Sequence, residues 1–245
     1  MERNIKLTIS YLGSAYCGWQ CQKNGKSVQE TVAAAIESLT GFAPKLHGCG
    51  RTDSGVHAKK YYCSFKTESE ATLLTYKRGL NALLPRDISV LDVSEADMDF
   101  HARFSVKAKR YEYYILNSPE RDPFWEGRAL HYKRRLDEKA LSEAACAYVG
   151  EHDFSAFCST GGSVENKVRI IEEAFVRRQG DMVIFSVTGN GFLYNMVRIM
   201  VGTLLEIAEG KINAAELPDI IASGDRSRAG ATARPQGLYL SEVYY

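Results

Sequence analysis

A chain of 245 residues can bury a sizeable core, as one large domain or two small ones, and its 45% hydrophobic and 25% charged residues are those of a soluble globular protein. The longest apolar run, around "NMVRIMVGTLLEIA", contains Arg198 and Glu206 and is too short to span a bilayer, and "MERNIKLTISYLG" at the start lacks the apolar region of a secretory signal. The net charge of +1 is silent about nucleic acid, but residues 1–66 and residues 101–135 each carry nine Lys/Arg against four Asp/Glu, which fits a positive groove on a balanced surface.

The elements follow in chain order. "IKLTISYLG" alternates as a strand does. "SVQETVAAAIESLTG" is a helix: Ser27 is placed to cap it, Glu30 completes a capping box, and Gly41 stops it. "KLHGCGRTDSGVHAKKYYCSFKT" reads as strand, loop and strand, "TLLTYKRGLNALLP" as a helix ended by Pro85, and "DISVLDVSEA" as a strand. That order is β-α-β-β-α-β. The second half repeats it, with strand "AKRYEYYILN", helix "LDEKALSEAACAYVG" ending at Gly150, and a hairpin over "KVRIIEEAFVRRQGDMVIFSVTGN" that turns at Gly180 and Asp181. A long helix over 192–209, "NAAELPDIIASG" behind it, and a closing strand "GLYLSEVYY" complete the chain. The expected fold class is α+β: two tandem ferredoxin-like (split βαβ) units, residues 1–105 and 106–245. They would form a mixed, mainly antiparallel sheet with helices on one face and a central cleft.

Three stretches carry candidate chemistry. "HGCGRTDSGVHA", residues 47–58, packs three glycines, an Arg, an Asp and two His into twelve residues, far more than a short polar turn needs. An Asx turn explains Asp53 and Gly55 but not Arg51 and His57 beside them. The helix over 192–209 is apolar nearly all round, so it is expected to be buried, yet Arg198 sits in its middle. Leaving a buried guanidinium without its partner costs on the order of 3–5 kcal/mol, so Arg198 calls for a carboxylate. Glu206 lies eight residues on and is not a neighbour, whereas Asp53 is well placed to face the second half. An Arg within about 4–6 Å would hold Asp53 ionised; the alternatives are an architectural ion pair or an Arg198 that snorkels to an edge. Finally, "RFSVKAKRYEYYI" sets Arg103, Lys107, Lys109 and Arg110 before Tyr111, Tyr113 and Tyr114, residue types that hold phosphates and stack a base.

Taken together, these segments resemble the tRNA pseudouridine synthase A family, nearly end to end and in order. The resemblance runs from "YLGSAYCGWQCQ" through "GCGRTDSGVHA", "LNALLPRDISV", "FHARFSVKAKRYEYYI", "GEHDFSAF" and "NGFLYNMVRIMVGTLLEIAEG" to "GLYLSEVYY". It implies isomerisation of uridine to pseudouridine in the anticodon stem-loop of tRNA, at nucleotides 38, 39 and 40, by a cytoplasmic homodimer with no metal or organic cofactor. By motif, Asp53 resembles the catalytic aspartate and Arg198 the arginine that pairs with it. Tyr111 matches the tyrosine that stacks on the target base, and Arg51 the loop arginine that helps turn the nucleotide out of the stem. Leu12, Ser54, Tyr61 and the tail "TARPQGL" depart from the family pattern and bear on substrate fit and packing.

Two other readings compete. A non-catalytic RNA-binding protein with two RRM-like units would use Tyr111 as a platform and need no ionised Asp53. A metal hydrolase would use Cys17, Cys21, His47 and His57. Spacing permits such ligands, but Cys17 and Cys21 flank "GWQ" and Cys63 alternates within a strand, which points to packing; with neither a signal nor a span the chain is expected in the cytoplasm, where its six Cys stay thiols.

Overall fold

The computed structural model describes residues 1–23, 25–161 and 164–245. The fold is α+β. Among the described residues it has ten strands and five α-helices, and the strand pairings are mixed but mostly antiparallel. The chain divides into two compact units, Met1–Lys107 with Tyr239–Tyr245, and Ala108–Leu238.

In the first unit, strand β1 (Arg3–Tyr11) is followed by helix α1 (Val28–Thr40), strands β2 (His47–Gly48) and β3 (His57–Thr67), helix α2 (Leu73–Leu83) and strand β4 (Ile88–Ala96). Ser27 caps α1 as expected: its Oγ accepts the Glu30 N–H at 3.1 Å, and Gly41 ends the helix at φ 76°. β1 lies between β4 and β3, antiparallel to both, and β2 pairs antiparallel with β3. Alternation sets the core face: Ile5, Leu7 and Ile9 stand opposite Phe65, Cys63 and Tyr61, and all six are buried. Tyr76 of α2 meets Phe65 edge-on at 5.8 Å. Burying each large aliphatic or aromatic side chain here is worth about 1.5–3 kcal/mol. The last strand, β10 (Leu238–Tyr244), was expected to close the second half; it sets Tyr239 and Leu240 parallel to His57 and Ala58 of β3.

The second unit contains β5 (Ala108–Leu116), β6 (Leu130–His131), α3 (Glu138–Ala145), β7 (Gly150–Asp153), β8 (Val168–Gln179), β9 (Met182–Gly189), α4 (Met196–Ala208) and α5 (Leu217–Ser223). β9 pairs antiparallel with β5 and β8, and every residue of β9 is buried. Two helices are shorter than their sequence patterns suggest. α3 gives way at Cys146 to a 3-10 turn that runs to Tyr148. α4 starts at Met196 rather than 192, because Asn195 adopts a left-handed conformation (φ 61°) that an α-helix cannot continue through. Among the described residues, no helix is long and apolar enough to cross a membrane.

Candidate active site

Asp53 sits on a loop whose backbone is clamped on both sides. Before it, the buried Thr52 hydroxyl is 2.9 Å from the Tyr11 hydroxyl, and the Thr52 carbonyl accepts the Trp19 N–H at 3.3 Å. After it, the Tyr16 carbonyl accepts both the Gly55 N–H and the Ser54 hydroxyl at 3.3 Å. The Asp53 carbonyl itself accepts the Val56 N–H at 3.2 Å. The clamp is the stretch just after β1, and glycine lets it come so close. A Cβ on Gly18, which has φ +104°, would lie 2.3 Å from the Thr52 carbonyl oxygen; one on Gly13 would lie 2.0 Å from that of Val56. Asp53 is half-buried, while Arg51 and Ser54 on either side are exposed.

Two residues under the loop were not singled out for this role by sequence. Tyr61, noted only as a departure from the family pattern, is buried. Its ring stacks on Trp19 at 4.1 Å and its hydroxyl donates to the Gly50 carbonyl. Burial pushes the Tyr61 phenol well above its ordinary pKa, so it remains a donor. His57, also buried, accepts the Gly13 N–H on Nδ1 at 2.9 Å, and its ring packs against Tyr239 at 4.6 Å. The Tyr61–Trp19 stack and the His57–Gly13 bond each join segments some forty residues apart in the chain, which no local spacing announces. A ring nitrogen engaged this way is not a free metal ligand, and among the described residues no group of three His, Cys, Asp or Glu could hold a metal ion.

In the second unit, Arg198 projects from the first turn of α4 and is half-buried. Its Nη1 donates to Asn195 Oδ1 at 2.6 Å and its Nε to the Ala233 carbonyl at 2.7 Å. These two bonds to neutral acceptors help fix the guanidinium's orientation. Ala233 belongs to a strap over 229–234 laid directly on α4. A Cβ on Gly202 would come within 1.6 Å of the Ala231 carbonyl oxygen. The Gly230 N–H donates to Thr203 Oγ1 at 2.9 Å, and the Ala231 N–H to Glu206 Oε1 at 2.8 Å. Glu206, the other charge on this helix, therefore anchors the strap. The strap also accepts the Tyr113 hydroxyl on the Arg234 carbonyl at 2.6 Å. Burial raises the Tyr113 pKa, against a smaller opposing pull from Arg198 and Arg234.

Tyr111 is buried on β5 opposite Val187, and Phe192 meets its ring edge-on at 5.1 Å. Of the cations that precede it, Arg110 is engaged: Nη2 pairs with Glu173 Oε2 at 2.7 Å and Nε donates to Thr188 Oγ1 at 2.9 Å. Asp53 and Arg51 thus lie on the first unit, and Tyr111 and Arg198 on the second.

An α+β chain with an aspartate loop of this design on one unit and an arginine helix on the other can be compared with known proteins. The family described as tRNA pseudouridine synthase matches residues 7–105 and 144–245, stretches that contain both the loop and the helix. The chain belongs to that family. It is 48% identical to tRNA pseudouridine synthase A of Acetivibrio thermocellus over 243 residues, covering 99% of this chain and 100% of that protein. The proteins of the same name from Clostridium acetobutylicum and Ruminiclostridium cellulolyticum are 46% and 45% identical, again over 99% of this chain and their full lengths.

Proposed function

We propose that this chain isomerises uridine to pseudouridine in the anticodon stem-loop of tRNA, acting on a nucleotide turned out of the helix. Family membership over nearly the whole chain makes it an isomerase of tRNA uridine. The reaction breaks the bond between C1′ and N1 of uracil, joins C1′ to C5, removes the C5 proton and leaves N1 protonated. No atom is gained or lost overall and no electron acceptor is needed. A stacked base hides C1′, so the nucleotide must first be everted.

Asp53 is the residue we assign to the chemistry, as a carboxylate that acts covalently or as a base. The observation that carries this assignment is the clamp. Thr52 on one side of Asp53 and Ser54 and Gly55 on the other are tied to the 11–19 segment, so the carboxylate is held on a fixed backbone. We assign Arg198 as the cation that keeps Asp53 charged in a water-poor setting, Tyr111 as the platform for the everted base, and Arg51, exposed beside Asp53, as the side chain that helps displace the nucleotide. The same reading takes each unit as ferredoxin-like, with helices on one face and the substrate in a central cleft. The antiparallel pairing of β1 with β4 and β3 in the first unit, with the two-residue β2 also antiparallel to β3, supports the first part of it, and β10 adds a parallel strand beside β3. Nucleotides 38, 39 and 40 are the proposed targets, a homodimer is the proposed assembly, and no cofactor is invoked.

The test is incubation of the purified protein with unmodified tRNA, followed by mapping of pseudouridine through carbodiimide-blocked reverse transcription. New stops confined to the anticodon stem-loop are expected. Tight tRNA binding without any stop would favour a non-catalytic RNA-binding protein.

A further inference from the structure

The turn that joins β4 to β5 is more ordered than a connector requires. The Asn4 side chain donates to the carbonyls of Asp97 and Phe100 at 2.8 and 2.9 Å. The Ala102 N–H donates to Ser64 Oγ at 3.2 Å, and the Ala102 carbonyl accepts the Tyr245 hydroxyl at 2.9 Å. Within the turn, the His101 carbonyl accepts the N–H groups of Phe104 and Ser105, His101 Nδ1 accepts the Arg103 N–H, and Ser105 Oγ accepts the His101 N–H. Seven residues are pinned in this way, yet the ring at the tip stands largely in water: Phe104 is 75% exposed. An apolar ring left in water on a rigid turn buries nothing for its own fold.

The surroundings of the ring are aromatic and basic. His101 packs against Phe104 with centroids 4.4 Å apart, and His47 packs against His101 at the same distance. The Arg103 guanidinium lies over the Phe104 ring at 5.5 Å. Burial, then His101 and Lys45, hold the His47 pKa below its ordinary value, so that ring is neutral near pH 7 and can stack. Residues 100–107 of the same unit carry Arg103 and Lys107 and no Asp or Glu. Phe124 is equally exposed, but Glu120, Asp122 and Glu126 stand within four residues of it against Arg121 and Arg128, so its surroundings carry no excess of positive charge.

We propose that Phe104, backed by His101 and His47 and flanked by Arg103, is an RNA-docking platform that stacks an unpaired base of the substrate tRNA while Arg103 meets a neighbouring phosphate. This rests on tRNA being the substrate and adds a contact on the first unit, on a turn other than the loop that carries Asp53.

The experiment compares Phe104→Ala, Phe104→Trp and Arg103→Gln with the unaltered protein. It measures fluorescence anisotropy of labelled, unmodified tRNA over a salt series, steady-state pseudouridine formation, thermal unfolding and oligomeric state. Because the ring is exposed, folding should be kept. Phe104→Ala should weaken tRNA binding about five- to a hundredfold, the range expected for losing one base–aromatic stack, and the loss should fall on KM more than on kcat. Phe104→Trp should restore binding. Arg103→Gln should lower the slope of log Kd against log salt by about 0.7–0.9, one phosphate contact. Wild-type affinity in Phe104→Ala overturns the proposal, as does a Trp variant no better than Ala. So does a change of oligomeric state with tRNA affinity intact, which would mean that a second copy covers the ring. If the unaltered protein forms no pseudouridine, the catalytic reading fails by itself, because the anisotropy arm still reads the platform.

Discussion

Replacing Gly18 with Ala tests whether the segment after β1 really positions the Asp53 loop. Two penalties coincide at this residue. Its φ of +104° is one that L side chains rarely adopt, and the new Cβ would stand 2.3 Å from the Thr52 carbonyl oxygen and 3.1 Å from the Asp53 carbonyl carbon. Neither atom is the end of a flexible side chain, so relief requires the loop backbone to retreat by on the order of 0.7–1 Å. A shift of about 1 Å at a catalytic group costs roughly a hundredfold in turnover. Gly41 supplies the control: it is also left-handed, at φ +76°, but a Cβ there meets nothing within 4 Å. Gly41→Ala should lose about 1 kcal/mol from backbone strain alone, a fall in Tm of about 2–4 °C for a chain of this size, with normal activity. Gly18→Ala should lose about 2–4 kcal/mol, from strain plus contact, and roughly two orders of magnitude in kcat. Thermal unfolding and single-turnover pseudouridine formation read the two effects separately. If Gly18→Ala turns over normally and is no less stable than Gly41→Ala, the clamp does not position Asp53.

Three further outcomes are expected. Asp53→Asn should abolish pseudouridine formation while tRNA affinity stays within a few-fold of normal; turnover near the unaltered rate would remove Asp53 from the chemistry. Arg198→Met should cripple catalysis and also destabilise the fold by about 1.5–3 kcal/mol, because it strips the charged donor from Ala233 and Asn195; a stable, active variant, seen by thermal melts and the same assay, would show that neither role is needed. Tyr111→Phe keeps the ring packed against Phe192, so full activity would make the residue a platform only, whereas a drop in kcat at unchanged KM would give its hydroxyl a part in the reaction.

Local order was legible without coordinates. The capped start and glycine end of α1, the turn at Gly180 and Asp181 between β8 and β9, and the alternation of Ile5, Leu7 and Ile9 all follow from rules that span a few residues. The candidate residues could be named for the same reason, since each lies in a compact motif. Where a longer pattern met a tertiary constraint, the reading slipped. Apolar spacing alone carried α4 back to 192, but Asn195 takes a left-handed conformation there, and its amide is shared between Arg198 and Ser159.

Spacing and capping were enough to locate the long strands and helices of the chain, though not the short strands β6 and β7, and to show that a glycine-rich loop carries one aspartate. What holds that loop came from the folded chain: Trp19 stacked on Tyr61, Thr52 tied to Tyr11, the backbone of Gly13 bonded to His57. The fold also set the bond from Arg198 Nε to Ala233 of the 229–234 strap, and the return of β10 to lie beside β3. The physical reason is range. Hydrophobic periodicity and capping act between neighbours a few residues apart and leave a pattern in the spelling. A hydrogen bond or ring contact between segments some thirty-five or more residues apart needs only two complementary groups and a fold that brings them together, and many pairings of the same residues would have satisfied the same composition.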